Sequence, residues 1–158
     1  LERRESGSLP ITDPTMTRFN ISLDEGVDMV FYAMEHAIGG EIFVPKIPSY
    51  SITDVAEAIA PSCKQEIVGI RPGEKIHEEM ITSSDSPNTI EADHYYVIVP
   101  SKMGVPQTSV LTDYLDHYNA TKVSEKFCYS SGDNTDWLSV DQLRKLIVTH
   151  CDPNFSPL

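Results

Sequence analysis

Positive charge is scarce in this 158-residue chain, which carries 12 Lys and Arg against 24 Asp and Glu, a formal net charge of −12. Nucleic-acid phosphates select clustered Lys and Arg, so this balance argues against general nucleic-acid binding. An acidic protein can still bind a phosphorylated small molecule, provided that a few cations are well placed.

Long apolar runs are absent as well. No stretch approaches the roughly 18 apolar residues that a membrane helix needs, and no signal peptide opens the chain. The three cysteines, Cys63, Cys128 and Cys151, are far apart and show no C-x-x-C spacing. They predict reduced thiols in a cytoplasmic protein without a membrane partner. A glycine-rich dinucleotide turn, a P-loop and a nucleophile elbow are also missing.

Apolar residues make up 40% of the chain, which is enough for a core. Apolar runs bounded by turn residues predict short strands. These strands cover residues 9–12, 16–21, 41–45, 66–70 and 95–99. We therefore expect a small mixed α/β fold. Residues 1–100 are expected to form a binding domain, and residues 101–158 an irregular extension that ends in a helix.

Three capping boxes indicate helix starts. They lie at Ser22–Glu25, Ser51–Asp54 and Ser139–Gln142. The first precedes an apolar stripe at helical spacing, and Gly39-Gly40 is expected to end that helix. A Pro near the first helical position predicts a further helix over residues 71–80. Residues 101–126 show little periodicity and are expected to be mostly irregular.

The chain begins abruptly. The segment Leu1–Ser8 has no initiator Met and ends in a Gly/Ser turn. It resembles the tail of a helix that runs into a turn. We therefore interpret the chain as a piece of a longer protein.

Arg18 and Arg71 are the candidate anion-binding residues. A guanidinium offers five donors in a rigid fork that suits phosphate oxygens. A helix beginning at Arg71 would add free amides and a positive dipole end. Glu74 offers acceptors for sugar hydroxyls. The alternative is that both arginines form ordinary surface ion pairs, which usually contribute little.

Two patterns that suggest catalysis lack their context. Tyr118 and Lys122 have the Y-x-x-x-K spacing of short-chain dehydrogenases, but no glycine-rich dinucleotide turn precedes them. His77-Glu78 begins an H-E-x-x-H pattern, but Ile81 stands where the second His would be. We assign no catalytic residue and no metal site to this chain.

Three motifs, in order along the chain, resemble one family. They are P-I-T-D-P-T-M-T-R-F at residues 10–19, G-G-E-I-F-V-P-K-I-P at 39–48 and G-I-R-P-G-E-K-I-H-E-E-M at 69–80. With the tail at 129–139, they resemble the C-terminal part of the inverting UDP-N-acetylglucosamine 4,6-dehydratases of the pseudaminic acid type. These lyases are extended short-chain dehydrogenase/reductases of polysaccharide biosynthesis. The resemblance covers nearly the whole chain.

The resemblance implies a chemistry for the parent protein. In this family, NADP oxidises carbon 4 of the sugar, which acidifies the hydrogen at carbon 5. Water then leaves from carbon 6, hydride returns there, and protonation at carbon 5 inverts its configuration. The product is a 4-keto-6-deoxy nucleotide sugar for surface glycans or flagellin glycosylation. The cofactor performs the redox step, and the protein orients the substrate.

The resemblance also implies which residues bind the substrate. Arg18 matches the Arg of M-T-R-F and Arg71 the Arg of R-P-G-E, and both would hold the UDP. Glu74 would hold the ribose, and Thr12 would lie beside the uracil. The family's NADP-binding half, with its catalytic residues, has no counterpart in this chain. We therefore expect the chain alone to be inactive, and the intact protein to form a homo-oligomer.

Two alternatives stay open at this stage. A related UDP-sugar 4- or 5-epimerase would share the M-T-R-F and G-G-E-I-F motifs. A non-catalytic binding or assembly module would instead use its apolar faces to pack against a partner chain.

Overall fold

The computed structural model describes residues 3–158, so Leu1 and Glu2 of the predicted helix tail lie outside the described residues. The helices are α1 (Leu23–His36), α2 (Ile52–Ile59), α3 (Gln107–Tyr118) and α4 (Val140–His150). The strands are β1 (Ser8–Ile11), β2 (Thr17–Phe19), β3 (Ile42–Pro45), β4 (Ser49–Ser51), β5 (Lys64–Ile67), β6 (Glu79–Ile81), β7 (Thr89–Glu91), β8 (Tyr95–Ile98), β9 (Thr121–Lys122) and β10 (Tyr129–Ser130). The predicted mixed α/β class is confirmed.

The described chain forms two compact units that alternate along the sequence. The first unit contains residues 3–20, 48–78 and 131–158, and the second contains residues 21–47 and 79–130. The expected division into a binding domain and an extension at residue 100 stays a prediction.

The first unit is built around a parallel strand pair. Strands β1 and β5 pair from Ser8 opposite Lys64 to Ile11 opposite Ile67. Four buried side chains form the core beside this pair: Leu9, Ile11, Ala56 and Ala60. Helix α4 packs on α2, where the Arg144 guanidinium donates to the carbonyls of Glu57 and Ala58. Strand β2 pairs antiparallel with β4.

The second unit contains an antiparallel sheet with strand order β3-β8-β7-β9. Helix α3 supplies part of its core. The buried cluster consists of Ile90, Val97, Val99, Val110, Leu111 and Tyr114. Strands β6 and β10 form a separate antiparallel pair in this unit.

The helix starts follow the predicted caps closely. Ser22 with Glu25, and Ser139 with Gln142, form complete capping boxes at α1 and α4. Ser51 accepts the Asp54 amide at the start of α2. The predicted end of α1 is too late, because the helix stops at His36 and Ala37 is already extended, before the two glycines.

The apolar face of α1 is largely uncovered within the second unit. Exposed fractions are 83% for Leu23, 59% for Val30 and Phe31, and 76% for Met34. The helical periodicity was therefore correct, but the described residues bury little of this face.

Two segments differ from the sequence-based expectation. Residues 107–118, expected to be irregular, form α3 because Val110, Leu111 and Tyr114 enter the core. The predicted helix over residues 71–80 is wrong, since this segment forms a turn and then extends into β6. Gly73 has φ of +81°, a left-handed conformation that an α-helix cannot contain. The positive dipole end expected at Arg71 is therefore absent.

A half-buried carboxylate organises the connection between α1 and β3. Glu41 accepts hydrogen bonds from the amides of Ile38 and Gly39 at 2.6 and 2.7 Å, and from the Tyr118 hydroxyl at 2.6 Å. Burial alone would raise the pKa of Glu41, but these bonds outweigh it and leave the pKa below its ordinary value. Burial and Glu41 also raise the pKa of Tyr118, the reverse of what an acid–base Tyr needs.

We predict that Glu41→Gln lowers the free energy of unfolding by about 1–2 kcal/mol at pH 7, because hydrogen bonds to a charged group are lost. A folded-state pKa below the ordinary 4.5 gives stabilisation that is present above that pH and lost as the pH falls. The difference between wild type and variant in denaturant titrations should therefore shrink towards pH 3. Glu35→Gln, on the exposed surface of α1, is the matched control. An equal loss in both variants would contradict the assignment.

Candidate functional site

The carboxyl edge of the parallel pair places two predicted site segments together. Parallel strands end at the same edge of a sheet, and ligands of α/β proteins bind there. The Val68 amide donates to the Ile11 carbonyl at 2.8 Å, which extends the pairing to the ends of both strands. Half-buried Thr12 follows β1 directly, and the segment carrying Arg71 follows β5.

Arg71 and Glu74 form a closed turn at this edge. The Glu74 amide donates to the Arg71 carbonyl at 3.0 Å, and the Arg71 amide donates to Oε2 of Glu74 at 3.1 Å. The Arg71 side chain is exposed, and the ion pairs found within residues 3–158 do not include it. Its guanidinium therefore projects from a turn whose geometry Glu74 fixes.

Arg18 is held against the end of the same segment. Nη1 donates to the carbonyls of Thr17 at 2.6 Å and Ile76 at 3.0 Å, and Nη2 donates to the Lys75 carbonyl at 3.0 Å. Nε lies 3.5 Å from Oε1 of Glu78. Only 20% of the Arg18 side chain is exposed. The ion-pair alternative therefore describes Arg18 in part, but not Arg71.

A chain of polar side chains lies on the other side of β2. The Thr17 hydroxyl is 2.8 Å from Nδ1 of His77 and 2.7 Å from the Ser131 hydroxyl. The Glu78 amide donates to Ser131 Oγ at 2.9 Å. Thr17 and Ser131 are buried, whereas His77 is exposed.

The absence of a side chain at Gly132 leaves the space that the His77 ring occupies. A Cβ at residue 132 would lie 2.6 Å from Nδ1 and 2.7 Å from Cγ of His77, far inside van der Waals contact. The ring edge that bears Nδ1 is therefore packed against the backbone of Gly132.

Burial and the Arg18 charge act in opposite directions on Tyr50, which faces Arg18 across the β2–β4 pair. Burial raises the pKa of the Tyr50 phenol, and the positive charge of Arg18 lowers it by a smaller amount. The phenol therefore stays neutral at physiological pH and does not compete with an anion for Arg18.

Sequence reasoning missed Glu78, His77, Ser131 and Gly132 as neighbours of the candidate site. His77 and Glu78 lie within the motif at residues 69–80, and Ser131 and Gly132 lie within the tail motif at 129–139. Their place inside these motifs was the signal that could have indicated them. Among the described residues, no group of three metal-ligating side chains occurs, and no helix combines the length and apolarity needed to cross a bilayer.

Comparison with known proteins identifies the family. Residues 2–100 match the family described as polysaccharide biosynthesis protein. The chain belongs to this family. It is 48% identical over 142 residues to a UDP-N-acetylglucosamine 4,6-dehydratase (inverting) of Campylobacter jejuni subsp. jejuni serotype O:23/36, with 90% of this chain and 42% of the relative covered. The resemblance stated from the motifs is thereby confirmed.

Two further similar proteins are more distant. A UDP-glucose 4-epimerase of Rickettsia akari is 31% identical over 160 residues, which cover 92% of this chain and 42% of the relative. The solved structure titled X-ray structure of Pen from Bacillus thuringiensis superposes with a TM-score of 0.71 and 29% identity, covering 94% of this chain and 43% of that one. The chain thus spans about two-fifths of the length of the proteins that it matches.

We predict that Gly132→Ala destabilises the first unit by about 1–3 kcal/mol, because the new methyl group cannot share space with the His77 ring. Gly26→Ala is the matched control, since nothing lies within 4 Å of a Cβ there and Ala favours a helix interior. Thermal unfolding should show a lower midpoint for Gly132→Ala and an unchanged or higher one for Gly26→Ala. Equal midpoints in the two variants would contradict the close packing of His77.

Proposed function

We propose that this chain is the nucleotide-sugar-binding part of an inverting UDP-N-acetylglucosamine 4,6-dehydratase. The observation that carries the proposal is the 48% identity to such an enzyme across 90% of the chain. The structure supports it with an exposed Arg71 on a fixed turn at the carboxyl edge of a parallel strand pair. That edge is where α/β proteins bind phosphorylated ligands.

Each candidate residue suits one part of the nucleotide sugar. Arg71 offers its guanidinium to the diphosphate, and Arg18 offers the N–H of Nη2 that its carbonyl contacts do not use. The Glu74 carboxylate offers Oε1 to ribose hydroxyls, because Oε2 already accepts the Arg71 amide. Thr12, directly after β1, lies beside the base. A chain of net charge −12 needs such cations close to a diphosphate.

The cofactor belongs elsewhere in the proposed parent. A dinucleotide site requires a glycine-rich strand–turn–helix, and residues 1–158 contain no such motif. We therefore place no NADP-binding residue and no catalytic residue in this chain. The parent is proposed to be a cytoplasmic, homo-oligomeric lyase, and its product to enter surface glycan synthesis of the pseudaminic acid type.

We predict that the full-length protein binds UDP and that Arg71→Ala weakens this binding by about tenfold or more, because a charge-assisted contact to phosphate is lost. Lys75→Ala, which removes one positive charge from the same exposed segment, should change the affinity by less than about threefold. Isothermal titration calorimetry measures both. An equal loss in the two variants would indicate a general charge effect rather than a specific site.

The reaction distinguishes the dehydratase from an epimerase. With substrate deuterated at carbon 4, the full-length protein should produce a 4-keto-6-deoxy sugar that carries the label at carbon 6. An epimerase would return a 4-hydroxy epimer without loss of water. Residues 1–158 alone should give neither product, and turnover by them would overturn the view that the catalytic groups lie elsewhere. Mass spectrometry and NMR of the products decide among these outcomes.

A further inference from the structure

We propose that Thr17 and Arg18 of β2 are positioning residues that fix the segment carrying Arg71 and Glu74. We call this pair the β2 clamp. Together its two residues contact four consecutive residues, 75 to 78. The clamp sets the position of the whole 71–78 segment, whichever ligand the segment binds.

The Arg18 side chain makes the first half of the clamp. Its Nη1 and Nη2 groups bind the carbonyls of residues 76 and 75, both at 3.0 Å, and Nε faces the Glu78 carboxylate. Nη1 also donates to the Thr17 carbonyl. Of the five guanidinium N–H groups, these contacts use four. One N–H of Arg18 therefore stays available for a ligand, and the other four contact the protein.

Thr17 makes the second half. Its amide donates to the Ile76 carbonyl at 3.0 Å, so this carbonyl accepts from both clamp residues. Its hydroxyl contacts Nδ1 of His77. Neighbouring residues of a strand point to opposite faces, so the clamp holds the segment from both sides of β2.

Donor counting gives the direction of the hydrogen bonds around Thr17. Ser131 has no exposed surface and its Oγ accepts from the Glu78 amide, so its own hydrogen needs an acceptor. The Thr17 oxygen, at 2.7 Å, provides that acceptor. Thr17 in turn donates to Nδ1 of His77. Nδ1 of His77 is therefore the acceptor in this hydrogen bond, which favours the tautomer with the ring hydrogen on Nε2.

The clamp explains why residues 75–78 do not continue a helix from the Arg71 turn. Two successive carbonyls, those of residues 75 and 76, are occupied by Arg18 and Thr17. These carbonyls would otherwise accept hydrogen bonds from amides four residues later in an α-helix. The turn at Arg71 is thus followed by a segment anchored to a different strand.

The test uses the full-length protein and two clamp variants. Arg18→Lys keeps the charge but cannot span two carbonyls and a carboxylate. Thr17→Val keeps the shape but removes the hydroxyl. Arg144→Lys is the matched control, since Arg144 also binds two backbone carbonyls in the same unit, at residues 57 and 58, outside the 71–78 segment.

Hydrogen exchange of the ligand-free proteins is the first readout. Both clamp variants should accelerate exchange of the hydrogen-bonded amides of residues 71, 74 and 78 by about tenfold or more, and Arg144→Lys should leave these amides unchanged. In Thr17→Val, the ¹⁵N shifts of His77 should also change, because Nδ1 loses its hydrogen-bond donor. Unchanged exchange in both variants would overturn the clamp. If Arg18→Lys fails to fold, the exchange rates of Thr17→Val alone test the clamp.

Ligand affinity is the second readout, and it rests on the proposed function. A displaced segment should weaken the binding of uridine as well as that of UDP, because Glu74 moves with Arg71. A loss confined to UDP, with unchanged exchange, would make Arg18 a phosphate ligand and overturn its positioning role. If the wild type binds neither compound, the proposed function fails, and the exchange data still decide the clamp.

The ¹⁵N measurement separates a positioning role from a general loss of stability. A merely destabilised unit would exchange faster throughout, including the amides of α4, without changing the ¹⁵N shifts of His77 in its folded state. The clamp instead predicts faster exchange confined to residues 71–78, together with the change at His77. Faster exchange spread evenly over α4 and residues 71–78 in Thr17→Val would therefore overturn the proposal.

Discussion

The guanidinium of Arg18 lies among three backbone carbonyls and one carboxylate, and the geometry of the candidate site depends on that arrangement. A planar fork with several donors can satisfy carbonyls that secondary structure leaves open. Segment 71–78 belongs to no strand or helix until β6 begins. Its position comes from these side-chain bonds and from the Arg71–Glu74 turn, rather than from a backbone ladder.

The helices with N-terminal caps were the most predictable part of the fold. Ser22 and Ser139 identified two helix starts to the residue, because capping boxes are local chemistry between neighbours. The ends and the irregular regions were less predictable. Helix α3 has polar residues at many positions, and its buried side chains gain their stability from the β7–β8 sheet. Such tertiary support has no local signature.

In the candidate site, too, the residues in local motifs were predictable and the long-range contacts were not. Motif resemblance indicated Thr12, Arg18, Arg71 and Glu74, and the structure places two of their segments at one strand edge. Whether these four bind the nucleotide sugar stays a prediction. The long-range contacts of Thr17 and Arg18 could not be predicted, because they join residues that lie 57 to 114 positions apart. The assumed helix after Arg71 failed for the same reason, since a distant strand competes for its carbonyls.

These long separations have a consequence for the order in which the chain folds. Closing a loop of nearly 60 residues costs more entropy than forming a single helical turn. The capped helices can therefore form early, whereas the contacts between β2 and residues 75–78 need the intervening chain to be in place.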